Sequence, residues 1–130
     1  MKWNNKLNDC QKMFLNLTNL IEIDLSKFDS SDVEKMDFMF SRCDNLKKIV
    51  IKNSFDTSKV KSMTYMFHFC ESLTSIDLSN FKTSLVTTFL GFMSNCLLLT
   101  SLDLSNFDTS SAESMIGMFQ IIKIIKFIKF

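Results

Sequence analysis

Residues 73–84 read LTSIDLSNFKTS, and residues 99–110 read LTSLDLSNFDTS. The two stretches differ only at Ile76 against Leu102 and at Lys82 against Asp108. Anchored on Leu73, the same position recurs as Leu20, Leu46, Leu73, Leu99 and, more loosely, Ile125. Neighbouring columns keep that step. One runs Ile23, Ile49, Ile76, Leu102, Ile128, and another Leu25, Ile51, Leu78, Leu104, Phe130. A third runs Phe28, Phe55, Phe81, Phe107. Upstream of these lie Met13, Met39, Met66, Phe92, Met118 and, one residue on, Phe14, Phe40, Phe67, Met93, Phe119. So many parallel columns identify an internal repeat of about 26 residues. One unit carries an extra residue, between Ile49 and Phe55.

Each unit has two halves with different periodicities. In the first, Val33, Met36, Met39, Phe40, Cys43 and Leu46 fall on one arc at helical spacing. Ser31 with Glu34, and Ser110 with Glu113, match a capping box. Ser58 and Ser84 keep the cap, with Lys61 and Thr87 in place of the glutamate. The second half alternates, with Asp77 between Ile76 and Leu78, which is strand spacing. A unit this small cannot bury its own apolar side, whereas stacked copies can. The expectation is an α/β right-handed solenoid of the leucine-rich-repeat type, with one helix and one short parallel strand per repeat. The whole chain, 1–130, is one domain: a partial unit 1–19, repeats 20–45, 46–72, 73–98 and 99–124, and a truncated unit 125–130.

The Met-Phe pair, the cysteine three residues after its Phe, the run Leu73–Phe81 and the start Asp56-Thr57-Ser58 before Val60 carry a resemblance. From about Leu7 to Phe130 the chain resembles the BspA-like leucine-rich repeats of microbial surface proteins, including mycoplasma lipoprotein-type repeat arrays. The resemblance implies a protein-binding or adhesion module at the cell surface, without enzymatic activity.

Composition bounds the partner class. Fifteen basic against 14 acidic residues leave a net charge of +1, without the strongly basic footprint of a nucleic-acid binder. The N-terminal stretch MKWNNKLNDCQKMF lacks the apolar core of a secretory signal. No apolar run reaches the roughly 20 residues of a membrane-spanning helix. The expected compartment is therefore the cytoplasm, unless the chain is a piece of something longer. With no Pro and only two Gly, turns that need positive φ are expected to be few or built from Asn, Asp and Ser.

Neither a catalytic nor a metal or cofactor site emerges. Cys43, Cys70 and Cys96 share a column with Leu17 and Ile122, which reads as an apolar column rather than a zinc site. Cys10 falls in the Met36 column. The only histidine, His68, has no orienting motif beside it and reads as structural. The candidate binding face is the outward side of the strands, with Asp24, Asp77 and Asp103 flanked by Ser75, Ser79, Ser101 and Ser105. Unit 46–72 breaks that acidic column with Val50 and adds Lys47, Lys48 and Lys52, with Lys59 and Lys61 nearby. Its extra residue should bulge near Asn53. The tail IIKIIKFIKF places Ile122, Ile125, Ile128 and Phe130 in core columns, so it reads as the open end of a truncated array or as an association surface, with a fragment of a longer array without its own activity, or a basic membrane-surface segment, as the alternatives.

Overall fold

The computed structural model describes residues 7–122 and the backbone of 128–129. Among them there is no helix. The chain forms a pile of coils whose elements are four short strands: β1, Glu22–Asp24; β2, Lys48–Val50; β3, Leu102–Asp103; and β4, Ile128–Lys129. β1 pairs with β2, and β3 with β4, both in parallel, with Ile23 opposite Ile49 and Leu102 opposite Ile128. On the other side, single parallel bridges run Asp9, Lys35, Ser62, Thr88, Ser114. These five residues mark coils 1 to 5.

The helix-and-strand solenoid of the leucine-rich-repeat type is thus corrected. The segments with helical spacing are strings of tight turns. In coil 2 the N–H groups of Met36, Phe38, Phe40 and Arg42 donate to Ser62, Thr64, Met66 and His68 of coil 3, at 2.8–3.0 Å. The residues between them bond inside the coil, as Met39 N–H does to Met36 and Cys43 N–H to Phe40. An α-helix would keep all of these bonds to itself. Here alternate donors leave the coil and fasten the next one. Two successive four-residue turns bury Met36, Met39, Phe40 and Cys43 just as one helical face would, so periodicity alone could not separate the two.

The capping boxes are corrected with the helices. Ser31, Ser58 and Ser110 do not cap. Their own N–H groups donate to the carboxylates of Asp29, Asp56 and Asp108, at 3.0, 2.9 and 2.9 Å, closing Asx turns. Glu34 instead meets Lys61.

Side chains stack in register above this ladder. Phe28, Phe55, Phe81 and Phe107 follow one another at centroid spacings of 6.0, 5.8 and 6.3 Å. Phe14, Phe40 and Phe67 do so at 5.2 and 5.5 Å. Ser30, Thr57 and Thr83 form a buried hydroxyl column. Each donates to a carbonyl of the next coil, at Asp56, Lys82 and Asp108, over 2.8–3.0 Å. Thr57 and Thr83 also accept the N–H of Lys82 and Asp108, so each hydroxyl is used in both directions. Ion pairs join successive coils outside: Glu22–Lys48, Asp32–Lys59, Glu34–Lys61 and Asp56–Lys82.

The extra residue lies between the buried Ile51 and Phe55, in the exposed run Lys52, Asn53, Ser54. The columns on either side keep their register. Residues 74–79 of coil 3 form no strand, so the sheet is split into two pairs. Of the tail expected to form an open edge, Ile122 packs against the core, Ile121 is exposed and β4 pairs with β3, while residues 123–127 and 130 lie outside the described ones.

Phe81 is buried between Phe55 and Phe107. Phe81→Ala is expected to lower stability by about 3–5 kcal/mol in urea unfolding. A loss below about 1 kcal/mol would remove Phe81 from the core.

Candidate functional site

Two surfaces qualify. The first is the strand side. Asp24, Asp77 and Asp103 are exposed there, as are Ser75, Ser79, Ser101 and Ser105. Each aspartate accepts the N–H of the serine two residues on, Ser26, Ser79 and Ser105, at 2.8, 2.9 and 2.9 Å. Hydrogen bonds from the Ser26 hydroxyl and N–H hold the Asp24 carboxyl below its usual range, and Ser79 does the same for Asp77. Lys47, Lys48 and Lys52 are exposed on the same side. Lys48 is drawn to Glu22 at 3.5 Å. Lys59 and Lys61 are tied to Asp32 at 2.6 Å and Glu34 at 3.0 Å.

The second surface lies on the turn side, and sequence reasoning missed it. Among the described residues, every coil carries two with positive φ, four apart. They are Lys12 and Asn16, Phe38 and Arg42, Tyr65 and Phe69, Gly91 and Asn95, and Gly117 and Ile121. As in a type II turn, each demands the left-handed region that Gly and Asn enter most readily. Both glycines of the chain sit in one of these columns, and Asn16 and Asn95 in the other. Coils 2 and 3 alone place large side chains at both. Phe38, Arg42, Tyr65 and Phe69 have φ of 57°, 59°, 52° and 57°. A left-handed backbone costs a residue with a Cβ about 1–2 kcal/mol.

These side chains, with His68, form one cluster. Tyr65 stacks on Phe38 at 5.3 Å and meets His68 at 4.8 Å. His68 abuts Phe69 at 4.3 Å, and the Arg42 guanidinium lies 4.7 Å over the Phe69 ring. Tyr65 and His68 are the chain's only tyrosine and histidine, and Arg42 is its only arginine. Arg42 is exposed and the rings are half-buried. His68 Nδ1 is 2.5 Å from the hydroxyl of Ser94, which is 2% exposed. Burial, reinforced by the Arg42 charge, holds the imidazole pKa below its usual value.

The cysteines are free and buried. Cys43, Cys70 and Cys96 donate to the carbonyls of Phe14, Phe40 and Phe67, at 3.1–3.2 Å. Burial pushes Cys10 and Cys43 up to about 11, Cys96 to about 12, and Cys70 well above the ordinary thiol value. Among the described residues no three His, Cys, Asp or Glu side chains are placed to share a metal ion.

A family profile matches residues 5–127, almost the whole chain. The chain belongs to the family described as Mycoplasma protein of unknown function, DUF285. The attribution to BspA-like leucine-rich-repeat surface proteins is corrected by this match and by the missing helices. Comparison with curated proteins and with solved structures returned no match.

Gly91 is where the aromatic cluster presses on the backbone. A Cβ there would lie 2.2 Å from Tyr65 Cε1, whereas one at Gly117 would first meet the Gln120 side chain at 3.2 Å. Both glycines have positive φ, 58° and 62°. Gly117→Ala should therefore cost only the left-handed penalty of about 1–2 kcal/mol. Gly91→Ala should cost more in thermal or urea unfolding, and adding Tyr65→Ser should return part of the difference. Equal losses at the two glycines would show that Tyr65 does not pack on Gly91.

Proposed function

We propose that the chain is a non-enzymatic scaffold that binds another protein through side-chain columns fixed along its stack. The carrying observation is the Asp-x-Ser turn of the strand side, repeated at Asp24, Asp77 and Asp103 with the carboxylate held in the same way each time. Side chains ordered in advance lose less entropy when a partner docks. The reading is further supported by what the reactive groups are doing. The thiols are buried and held protonated, and the one imidazole faces a buried serine hydroxyl. The family description names no activity to carry across.

The lysines of the irregular unit are the proposed basic part of this surface. Replacing Lys47, Lys48 and Lys52 together with Ser should remove at least one protein captured by the wild type after cross-linking, with the circular dichroism spectrum unchanged. Capture of the same proteins by both forms would sink that assignment.

A second reading, self-association through the C-terminal edge, is favoured by one column. Cys10, Met36, Met63 and Phe89 are buried, whereas Met115, next in that column, is 50% exposed. Beside it runs a groove of about 290 Å³ lined by Leu104, Phe107 and Met118 among others. Sedimentation velocity should show concentration-dependent association that Met115→Ser weakens. A monomer at every concentration would overturn it.

A further inference from the structure

The turn-side cluster is built from departures. Coils 1, 4 and 5 each set Gly or Asn in at least one of their two left-handed positions, and coils 2 and 3 set neither. Left-handed residues with large side chains are uncommon and concentrate where strain serves a site. Packing does not account for them, because the core columns of the same coils are filled by Met39, Phe40, Met66 and Phe67. Gly91 makes room for the Tyr65 ring, which fixes the height of the strip it forms with Phe38.

The cluster also holds the chain's one guanidinium. Lys48, Lys59, Lys61 and Lys82 each have an acidic partner on a neighbouring coil. Among the described residues Arg42 has none, as Lys12, Lys27, Lys35, Lys47 and Lys52 have none, and its exposed guanidinium rests on the Phe69 ring. The fork of donors on arginine matches a carboxylate in two-point fashion, which a lysine ammonium cannot do. Tyrosine and arginine in a half-buried aromatic setting are also the side chains that carry the most energy in protein interfaces.

We propose that Phe38, Arg42, Tyr65, His68 and Phe69 form a docking site for a protein segment that presents a carboxylate beside an apolar side chain. The carboxylate pairs with Arg42, and the apolar side chain lies on the strip of Phe38 and Tyr65. This rests on the reading of the chain as a protein-binding scaffold, and it names a different face from the lysines of the strand side.

The test is selection of a random dodecapeptide library on the immobilised chain, followed by fluorescence anisotropy with the selected peptides. Peptides with Asp or Glu next to Leu, Phe or Met should be enriched. Arg42→Gln should weaken them about tenfold or more, and Arg42→Lys should recover only part of the loss. The triple replacement of Lys47, Lys48 and Lys52 should leave their affinity unchanged. In the wild type, the ring signals of His68, the only imidazole, should shift during titration, which needs no variant to fold. Enrichment of peptides without acidic residues, equal binding by Arg42→Gln, an unmoved His68 signal or an empty selection overturns the proposal. So does Arg42-dependent binding to a glycan array or to phosphatidylserine vesicles in place of peptides. Those outcomes leave the cross-linking result on the strand side standing or falling by itself.

Discussion

The backbone donors that leave one coil for the next hold this molecule together. A coil of turns has few bonds of its own, and its alternate N–H groups would be buried without partners if no neighbour stood above them. The neighbour can accept them only if its carbonyls arrive at the same spacing. That requirement fixes the register, and the register carries the rest: the phenylalanine columns, the hydroxyl column of Ser30, Thr57 and Thr83, the thiol column and the ion pairs all join one coil to the next. Substitution at one level is felt mainly by the two adjoining levels, as expected for a one-dimensional stack.

The same requirement explains which parts of the structure could be read in advance. Leu73, Ile76, Leu78 and Phe81 stood out as column residues; Leu73, Leu78 and Phe81 are buried, and Ile76 is partly buried against the core. The local conformation did not stand out, because the spacing of Met36, Met39, Phe40 and Cys43 belongs equally to a helical face and to two consecutive turns. A cue was present nonetheless. Gly91 and Gly117 occupy one column, and Asn16 and Asn95 occupy another four residues on. Residues of that kind recurring four apart mark left-handed turns, and a helix has no use for them. Scarcity of glycine suggested few such turns, and the chain instead pays for them with Phe38, Tyr65 and Arg42.

The candidate surfaces divide in a similar way. The exposed Asp and Ser of the strand side were legible because alternation in a strand tells outside from inside. The turn-side cluster was hidden for the opposite reason. Read as helix positions, Phe38 and Arg42 lie off the apolar arc and look like scattered surface residues, and His68 looks like a flank. Only the turn geometry lines up Phe38 with Tyr65 and brings Arg42 over Phe69.

Coils 2 and 3 are tied unequally on the two sides of the stack. Between coils 2 and 3 the turn side is laced by five backbone bonds, donated by Met36, Phe38, Phe40 and Arg42 and, in the other direction, by Lys61. On the strand side residues 74–79 form no strand with coil 2, and the Ser72 N–H donates to Asp44 at 3.1 Å, while Phe55 packs on Phe81 and Thr57 bonds Lys82. Opening that joint on the strand side therefore breaks fewer backbone bonds than opening it on the turn side. The turn side of this joint is the more firmly tied. The aromatic cluster therefore sits where coils 2 and 3 are tied most firmly, which holds its residues at a fixed spacing, while Asp24 and Asp77 lie on the side with fewer backbone ties.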